Sequence, residues 1–182
     1  MMMDAQYRPA RRDLTLAILR LVVMVTIGAL CLAAFLLIVG TPLVLIFSEQ
    51  VSTWISSDAD SPSLTALVLL MIGVSGLCGF AIGFFYLLMK ITDTVRDGDP
   101  FVPENATRLA LMAWTALAGH AWALILTIPG VWFASSVGAG ARDAEIDASF
   151  GTGSAILILV LFVLARVFRH GSGLREDLAG TI

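Results

Sequence analysis

Residues 90–109 read KITDTVRDGDPFVPENATRL, a charged segment that stands between two long apolar runs. Those runs, residues 64–89 and 109–141, contain no Asp, Glu, Lys or Arg, and residues 21–48 and 148–165 share this property. Each run reaches the roughly 18 to 20 residues that a helix needs to cross about 30 Å of hydrocarbon. None of them alternates polar with apolar residues, as a membrane strand would. The chain is therefore predicted to be all-α, with four membrane-spanning helices.

The charged segment itself predicts a helical hairpin. Helix two is expected to continue past the membrane to about Arg96, and Gly98 can adopt the left-handed conformation that closes a helix. Asp99 precedes Pro100, which pushes it toward an extended conformation, so the chain turns a corner here. Phe101 follows this corner and is expected to pack against the inner ends of the helices.

The basic residues predict how the helices are oriented. They lie before helix one, between helices two and three and after helix four, with Arg142 as the exception: Arg8, Arg11, Arg12, Arg20, Lys90, Arg96, Arg108, Arg166, Arg169 and Arg175. Because basic residues in short loops stay in the cytoplasm, both termini and the central loop are predicted to be cytoplasmic. The same dispersal argues against direct nucleic-acid binding, which gathers basic residues on one surface.

The prediction is thus a single transmembrane domain over residues 1–182, a membrane-embedded four-helix bundle with short cytoplasmic N- and C-terminal tails. Its helices are expected at about residues 14–40, 64–96, 103–135 and 150–168. Hydrophobic residues make up 58% of the chain and charged residues 14%, whereas a soluble domain carries roughly 25% charged residues. The lipid bilayer is the solvent that this composition requires.

Glycine and proline predict where two of the helices are interrupted. The sequence Gly40-Thr41-Pro42 is expected to bend or break the outer end of helix one, with a helical extension over residues 43–55 on the outer membrane interface. Gly171 and Gly173 are expected to end helix four and to release the cytoplasmic tail.

Small residues on helix two predict close helix packing. Ser75, Gly79 and Gly83 recur at intervals of four, a spacing that lets neighbouring backbones approach in lipid, within the chain or between copies. Cys31 and Cys78 lie inside helices one and two and are expected to pack as small residues, with no disulfide and no metal site.

His120 is the titratable residue in the middle of a predicted span. An ionisable side chain at that depth is a candidate functional site. The simpler interpretation is a neutral imidazole that is hydrogen-bonded to a Ser or Thr of another helix. An intramembrane enzyme would need a second reactive group beside it, and hydroxyls such as those of Ser75 and Thr127 are the available ones. No cofactor is expected.

Several short motifs together resemble a known family: Lys90-Ile91, Gly98-Asp99-Pro100-Phe101, Glu104-Asn105, Arg108-Leu109, Val167-Phe168-Arg169, Gly171 and Leu174-Arg175-Glu176-Asp177-Leu178. Their order resembles the bacterial membrane family called domain of unknown function 2975. In that family a Gly-x-Pro-Phe turn joins helices two and three of a four-helix unit, and a basic segment after helix four leads to an acidic tail. Val102 departs from the Ser or Thr cap expected before helix three, and Ala179-Gly180 makes the tail less acidic.

The resemblance implies a multi-pass protein of the bacterial cytoplasmic (inner) membrane. It implies little about activity, although members look as though they work beside a small cytosolic helix-turn-helix regulator. We therefore expect a non-enzymatic protein that presents its central turn and tail to a protein partner, through Asp99, Pro100, Phe101, Asn105, Arg108, Arg169, Leu174, Arg175 and Glu176. The alternative is a small transporter or channel component that acts as a homo-oligomer.

Overall fold

The computed structural model describes the backbone of residues 10–55, 62–136 and 150–179, and the side chains of residues 14–53, 64–135 and 153–173. The described parts fold into five helices: α1 (Ala10–Ile46), α2 (Ser48–Ile55), α3 (Pro62–Arg96), α4 (Pro103–Ser136) and α5 (Phe150–Ala179). Four of these helices contain segments long and apolar enough to cross a membrane: Leu14–Ile46, Leu64–Arg96, Pro103–Ser135 and Gly153–Gly173. The predicted all-helical fold with four apolar spans is confirmed.

The long helices pack in chain order. α1 lies against α3, α3 against α4, and α4 against α5, while the short α2 also touches α3. The α3–α4 pair therefore forms the centre of the molecule, with α1 on one side and α5 on the other. A buried cluster of Leu109, Met112 and Ala113 on α4 with Leu161 and Ala165 on α5 joins the central pair to α5, and side chains of α3 pack against it.

Large apolar side chains cover the outside of the molecule. Val25 of α1, Ile128 of α4 and Val163 of α5 are each more than 60% exposed, and they have many exposed apolar neighbours. A soluble monomer rarely exposes continuous apolar surface of this kind, whereas hydrocarbon solvates it at no cost. The surface therefore fits a bundle that lies in a membrane.

Pro42 does not interrupt α1, so of the bend or break expected at residues 40–42 the break does not occur. The helix continues to Ile46, and its hydrogen bonding passes into α2, since Phe47 N donates to Leu43 O and Val51 N donates to Phe47 O, each at 3.0 Å. Membrane helices tolerate an internal proline because neighbouring groups satisfy the freed carbonyl. The predicted helical extension exists as α2.

The prediction that the last helix ends near residue 168 is wrong. α5 continues to Ala179 and includes Gly171 and Gly173. A glycine inside a helix costs only about 1 kcal/mol relative to alanine. The side chain of Ser172 is buried, and its hydroxyl donates to Arg169 O at 3.0 Å. Both glycines therefore lie inside α5.

Candidate functional site

Gly98 ends α3 with two backbone hydrogen bonds. Its φ is 86°, in the left-handed region. Gly98 N donates to Val95 O at 3.2 Å, and Asp99 N donates to Thr94 O at 3.1 Å. Together these bonds form the Schellman arrangement, in which the last carbonyls of a helix are satisfied by the residues that leave it. The predicted role of Gly98 is confirmed.

The buried side chain of Asn105 stabilises the turn through hydrogen bonds. Its side chain is fully buried, and its Nδ2 donates to Thr94 Oγ1 at 2.7 Å and to Pro100 O at 3.0 Å. Its Oδ1 accepts a hydrogen bond from Arg108 at 2.8 Å. A buried amide must have its polar atoms paired, and here the partners lie on α3, on the corner and on α4. One side chain thus ties all three pieces together.

Arg108 extends this network along the α3–α4 pair. Besides Asn105, its guanidinium donates to Lys90 O at 3.4 Å, and the Lys90 ammonium lies 5.6 Å from the centre of the Tyr86 ring. At a neighbouring level, Arg20 Nε of α1 lies 3.8 Å from Asp93 Oδ1 of α3. Both side chains are about one-third exposed, so this ion pair contributes little to stability. The ion pair nevertheless shows that the N-terminal part of α1 lies beside the C-terminal end of α3.

Phe101 belongs to the turn, and its side chain packs against α5 while it remains 45% exposed. Its ring stacks on Phe168 with a centroid distance of 5.2 Å and an angle of 30° between the planes. A Cβ added to Gly171 would lie 3.4 Å from Phe101 Cδ1, an ordinary van der Waals distance, so the ring packs directly on α5 at this position. Phe101 therefore packs against α5, but at positions inside the helix rather than at its end, and nearly half of its surface stays open.

Two sets of exposed residues, one on the turn and one on α5 at the level where Phe101 packs, are together called the inner face. It comprises Val95, Asp97, Phe101 and Glu104 from the turn with Arg166, Arg169 and His170 from α5, all exposed. The turn carries the acidic Asp97 and Glu104 together with the basic Arg96, and α5 carries the basic Arg166 and Arg169, so the exposed charges here are of both signs.

The other residues expected on a partner surface lie in different surroundings. Asp99, Pro100 and Arg108 are partly buried beside the inner face, and Asn105 has no exposed surface to offer. Asn105 is therefore left out of the surface that could contact a partner. Leu174, Arg175 and Glu176 belong to the helical backbone of α5, and their side chains lie outside the described residues.

The α3–α4 contact is an antiparallel seam of large residues over glycines. Trp122 of α4 lies over Gly76 of α3, where an added Cβ would come within 3.1 Å of the indole Nε1, and Leu126 similarly lies over Gly73. In the other direction, Phe80 of α3 lies over Gly119 of α4, 3.3 Å from the position of an added Cβ. Each glycine thus makes room for one bulky side chain of the facing helix.

The residues of the seam do not follow the predicted interval of four. Its residues alternate by three and four, as in coiled coils, at 73, 76, 80 and 83 on α3 and at 115, 119, 122 and 126 on α4. Of the predicted packing residues, Gly83 faces Thr115 at 3.8 Å, but a Cβ on Gly79 would meet nothing within 4 Å. Ser75 donates to Ile72 O of its own helix. Packing between copies through Gly79 remains a prediction.

His120 lies in a groove between α3, α4 and α5. Ser154 Oγ of α5 is 3.4 Å from His120 Nδ1. This is a hydroxyl contact from another helix, of the kind that the simpler interpretation of His120 predicted. The groove has a volume of about 520 Å³, and its lining is apolar apart from three side chains, His120, Ser154 and Thr115. Among the described side chains, no three His, Cys, Asp or Glu residues come together as metal ligands.

Sequence reasoning missed two partners in these sites. Thr94 reaches Asn105 from α3, and Ser154 reaches His120 from α5. The signal for Thr94 was the antiparallel hairpin itself, because a tight turn at Gly98 brings residues shortly before and after it to the same level. Ser154 carried no local signal, since the register of α5 on α4 depends on packing along the whole helix.

The sequence matches a known protein family. A family profile described as protein of unknown function (DUF2975) matches residues 52–182, which include α3, the turn, α4 and α5. No curated protein and no solved structure matches the chain significantly. The profile covers well over half of the sequence and the turn motifs that resembled this family, so the chain belongs to the DUF2975 family of proteins of unknown function.

Proposed function

We propose that this protein is a non-enzymatic membrane protein whose inner face binds a protein partner in the cytosol. The observation that carries the proposal is the position of Phe101, which is stacked on Phe168 yet 45% exposed. Aromatic residues, phenylalanine among them, are enriched in protein interfaces relative to the rest of the protein surface.

The rigidity of the turn supports this role. Asn105 and the Gly98 cap hold the corner in one conformation. A preformed surface binds with less loss of conformational entropy than a flexible loop does. The side chain of Phe101 is therefore already ordered before a partner arrives.

The charges of the inner face define the partner's chemistry. Asp97 and Glu104 on the turn favour basic residues of a partner, whereas Arg166 and Arg169 on α5 favour acidic ones. A small helix-turn-helix regulator, which family members look as though they accompany, is the partner that we propose. Complementary charges of both signs would fix its orientation on the membrane protein.

The proposal requires that the turn lies in the cytoplasm. The basic residues Lys90, Arg96 and Arg108 beside the turn and Arg166 and Arg169 on α5 support this orientation under the positive-inside rule. The compartment that we propose is the bacterial inner membrane, with both termini inside.

Site-specific photo-crosslinking in living cells tests the proposal. Benzoylphenylalanine placed at Val95, on the inner face, is expected to give a discrete adduct with a cytosolic protein. The same probe placed at Phe47, which lies between α1 and α2 and is 52% exposed against 38% for Val95, is expected to give none. Mass spectrometry of the adduct identifies the partner.

Two further substitutions tie the adduct to the inner face. Phe101→Ala removes the anchor, and Arg169→Glu reverses one charge while it leaves the aromatic stack in place; each is expected to abolish the adduct. Thr107→Ala, at an exposed position on α4, is the matched control and is expected to preserve it. An adduct from Val95 that persists in both the Phe101 and the Arg169 variants would rule the proposed surface out.

A further inference from the structure

Three basic residues at the borders of apolar runs lie around one stretch of α3. Arg20 is the last charged residue before the apolar run of α1, Lys90 the first after that of α3, and Arg108 the last before that of α4. Arg108 donates to Lys90 O at 3.4 Å, and Arg20 lies 3.8 Å from Asp93, one turn further along α3. Three helices thus bring their border charges together at the end of the bundle that carries the turn.

These residues lie in a cleft between α1 and α4. Tyr86, Lys90 and Asp93 are spaced by four and three residues, so they lie along one face of α3. Asp93 contacts α1 and Lys90 contacts α4, so this face lies between those two helices, which each pack on α3 more than on one another. The cleft is open, since Tyr86 is 49% exposed.

Positive charge exceeds negative charge in the cleft. Asp93, beside Arg20, is the acidic side chain that pairs with a base in the described part of the chain. The Arg108 guanidinium donates to uncharged amide oxygens, and the Lys90 ammonium lies 5.6 Å from the centre of the Tyr86 ring. Arg20 Nε is buried and makes no hydrogen bond to a described residue. Three cations therefore stand against one carboxylate, and the cleft favours an anion.

The cleft becomes apolar toward the membrane centre. Tyr86 lies one turn from Lys90 in that direction, and Leu111 lies one turn from Arg108; each is 49% exposed. Ammonium and guanidinium groups are the usual partners of phosphate oxygens. A hydrocarbon chain attached to such a phosphate would continue over Tyr86 and Leu111, whereas a free phosphate would leave them uncovered. A phospholipid therefore uses both parts of the cleft.

We propose that the cleft between α1, α3 and α4 binds one anionic phospholipid, with its phosphate among Arg20, Lys90 and Arg108 and an acyl chain along Tyr86 and Leu111. A zwitterionic head group fits less well, because it brings an ammonium of its own beside these bases. The inference does not depend on the inner face, which comprises other residues.

Native mass spectrometry of the full chain in detergent tests the proposal. Dioleoylphosphatidylglycerol is the probe, and dioleoylphosphatidylethanolamine, which has the same acyl chains, is the comparison. The first phosphatidylglycerol molecule is expected to bind about fivefold more tightly than the first phosphatidylethanolamine, the worth of one unopposed basic residue. Glycerol 3-phosphate in excess is expected not to displace it, because this anion has no acyl chain to cover the apolar part of the cleft.

Two neutralising substitutions on α3 locate the site. Lys90→Gln removes an ammonium from the cleft and is expected to weaken phosphatidylglycerol binding about fivefold, whereas Lys90→Arg retains the charge and should retain binding. Arg96→Gln removes the same charge six residues further along, on another side of the helix, where the side chain is exposed. This control is expected to leave binding within about twofold.

Asp93→Asn provides a test in the opposite direction. The substitution removes the carboxylate that competes with a phosphate for Arg20. It is expected to strengthen phosphatidylglycerol binding about fivefold. A variant that had lost its fold would not bind the lipid more tightly, so this gain separates recognition of the phosphate from damage to the bundle.

Three results would overturn the proposal. Equal binding of the two phospholipids would mean that the cleft does not distinguish their charge. Equal weakening by Lys90→Gln and Arg96→Gln would mean that the anionic lipid is attracted to the basic end of the bundle as a whole. Displacement of the lipid by glycerol 3-phosphate would assign the three bases to a soluble anion.

Discussion

Trp122 of α4 donates its indole N–H to the carbonyl oxygen of Gly73 of α3 across 2.9 Å. The bond crosses the glycine seam at the point where the indole also covers Gly76. In hydrocarbon, association of helices depends on close packing and interhelical hydrogen bonds rather than on the hydrophobic effect. One tryptophan supplies both contributions to the centre of the molecule.

The seam predicts that two glycines of α3 respond differently to the same substitution. Gly76→Leu must displace the indole ring of Trp122 and is expected to destabilise the fold by about 1 to 3 kcal/mol through overpacking. Gly79→Leu adds its side chain on an open surface and is expected to have little effect on the monomer. Thermal unfolding in detergent, followed by circular dichroism, measures the difference.

The same pair of variants also tests association through Gly79. If copies pack there, as the sequence suggested for an oligomer, Gly79→Leu will shift the detergent complex to a smaller mass in light scattering. An unchanged mass with Gly79→Leu, together with equal melting temperatures for the two variants, would contradict both roles of the α3 glycines.

Asn105→Ala is expected to loosen the turn. The substitution removes the partner of Thr94 Oγ1 and of the Pro100 carbonyl, and a buried polar group left unpaired costs about 1 to 3 kcal/mol. Hydrogen exchange of residues 94–105 should accelerate while the rest of α3 and α4 remains protected. Thr107→Ala, exposed on the same helix, should change neither quantity; if it matches Asn105→Ala, the buried network is not the cause.

Gly98→Ala is expected to strain the end of α3. An L-residue pays about 1 to 2 kcal/mol to adopt the left-handed conformation found here. Gly98→Asn should cost less, because asparagine enters that region more readily. The order of unfolding midpoints, with glycine highest and alanine lowest, checks the prediction. An alanine variant as stable as the native protein would show that the turn relaxes without the Schellman bonds.

The orientation in the membrane yields a labelling prediction. Asp97→Cys, in the cytoplasmic turn proposed here, should resist a membrane-impermeant thiol reagent in intact cells and react after lysis. Ser52→Cys, on α2, should react in intact cells. Since Cys31 is a free exposed cysteine in α1 and Cys78 is a buried one, both variants are best made with these two replaced by alanine. The opposite labelling pattern would reverse the topology and remove the inner face from the cytosol.

Much of the fold could be predicted from the sequence, because the hydrocarbon sets a length and a composition that each span must meet. Local chemistry was also sufficient at the turn, where Gly98 and Pro100 leave the chain few conformations. It failed for α5, because a glycine inside a helix costs only about 1 kcal/mol and the helix continues through Gly171 and Gly173 to Ala179.

The glycine pattern shows a second kind of limit. The sequence contains both the interval-four row through Gly79 and the three-four row through Gly73 and Gly76. Which row faces a neighbour depends on Trp122 and Leu126 of the facing helix, and no short-range rule links residues about fifty positions apart. The contact between His120 and Ser154 could not be predicted either, because these two residues are also far apart in the sequence.

The buried amide of Asn105 has a mechanical consequence. Because it joins the end of α3, the corner and the first turn of α4, a displacement of the corner is expected to be transmitted to both helices together. A rearrangement of α1 or α5 against this pair would leave the network intact.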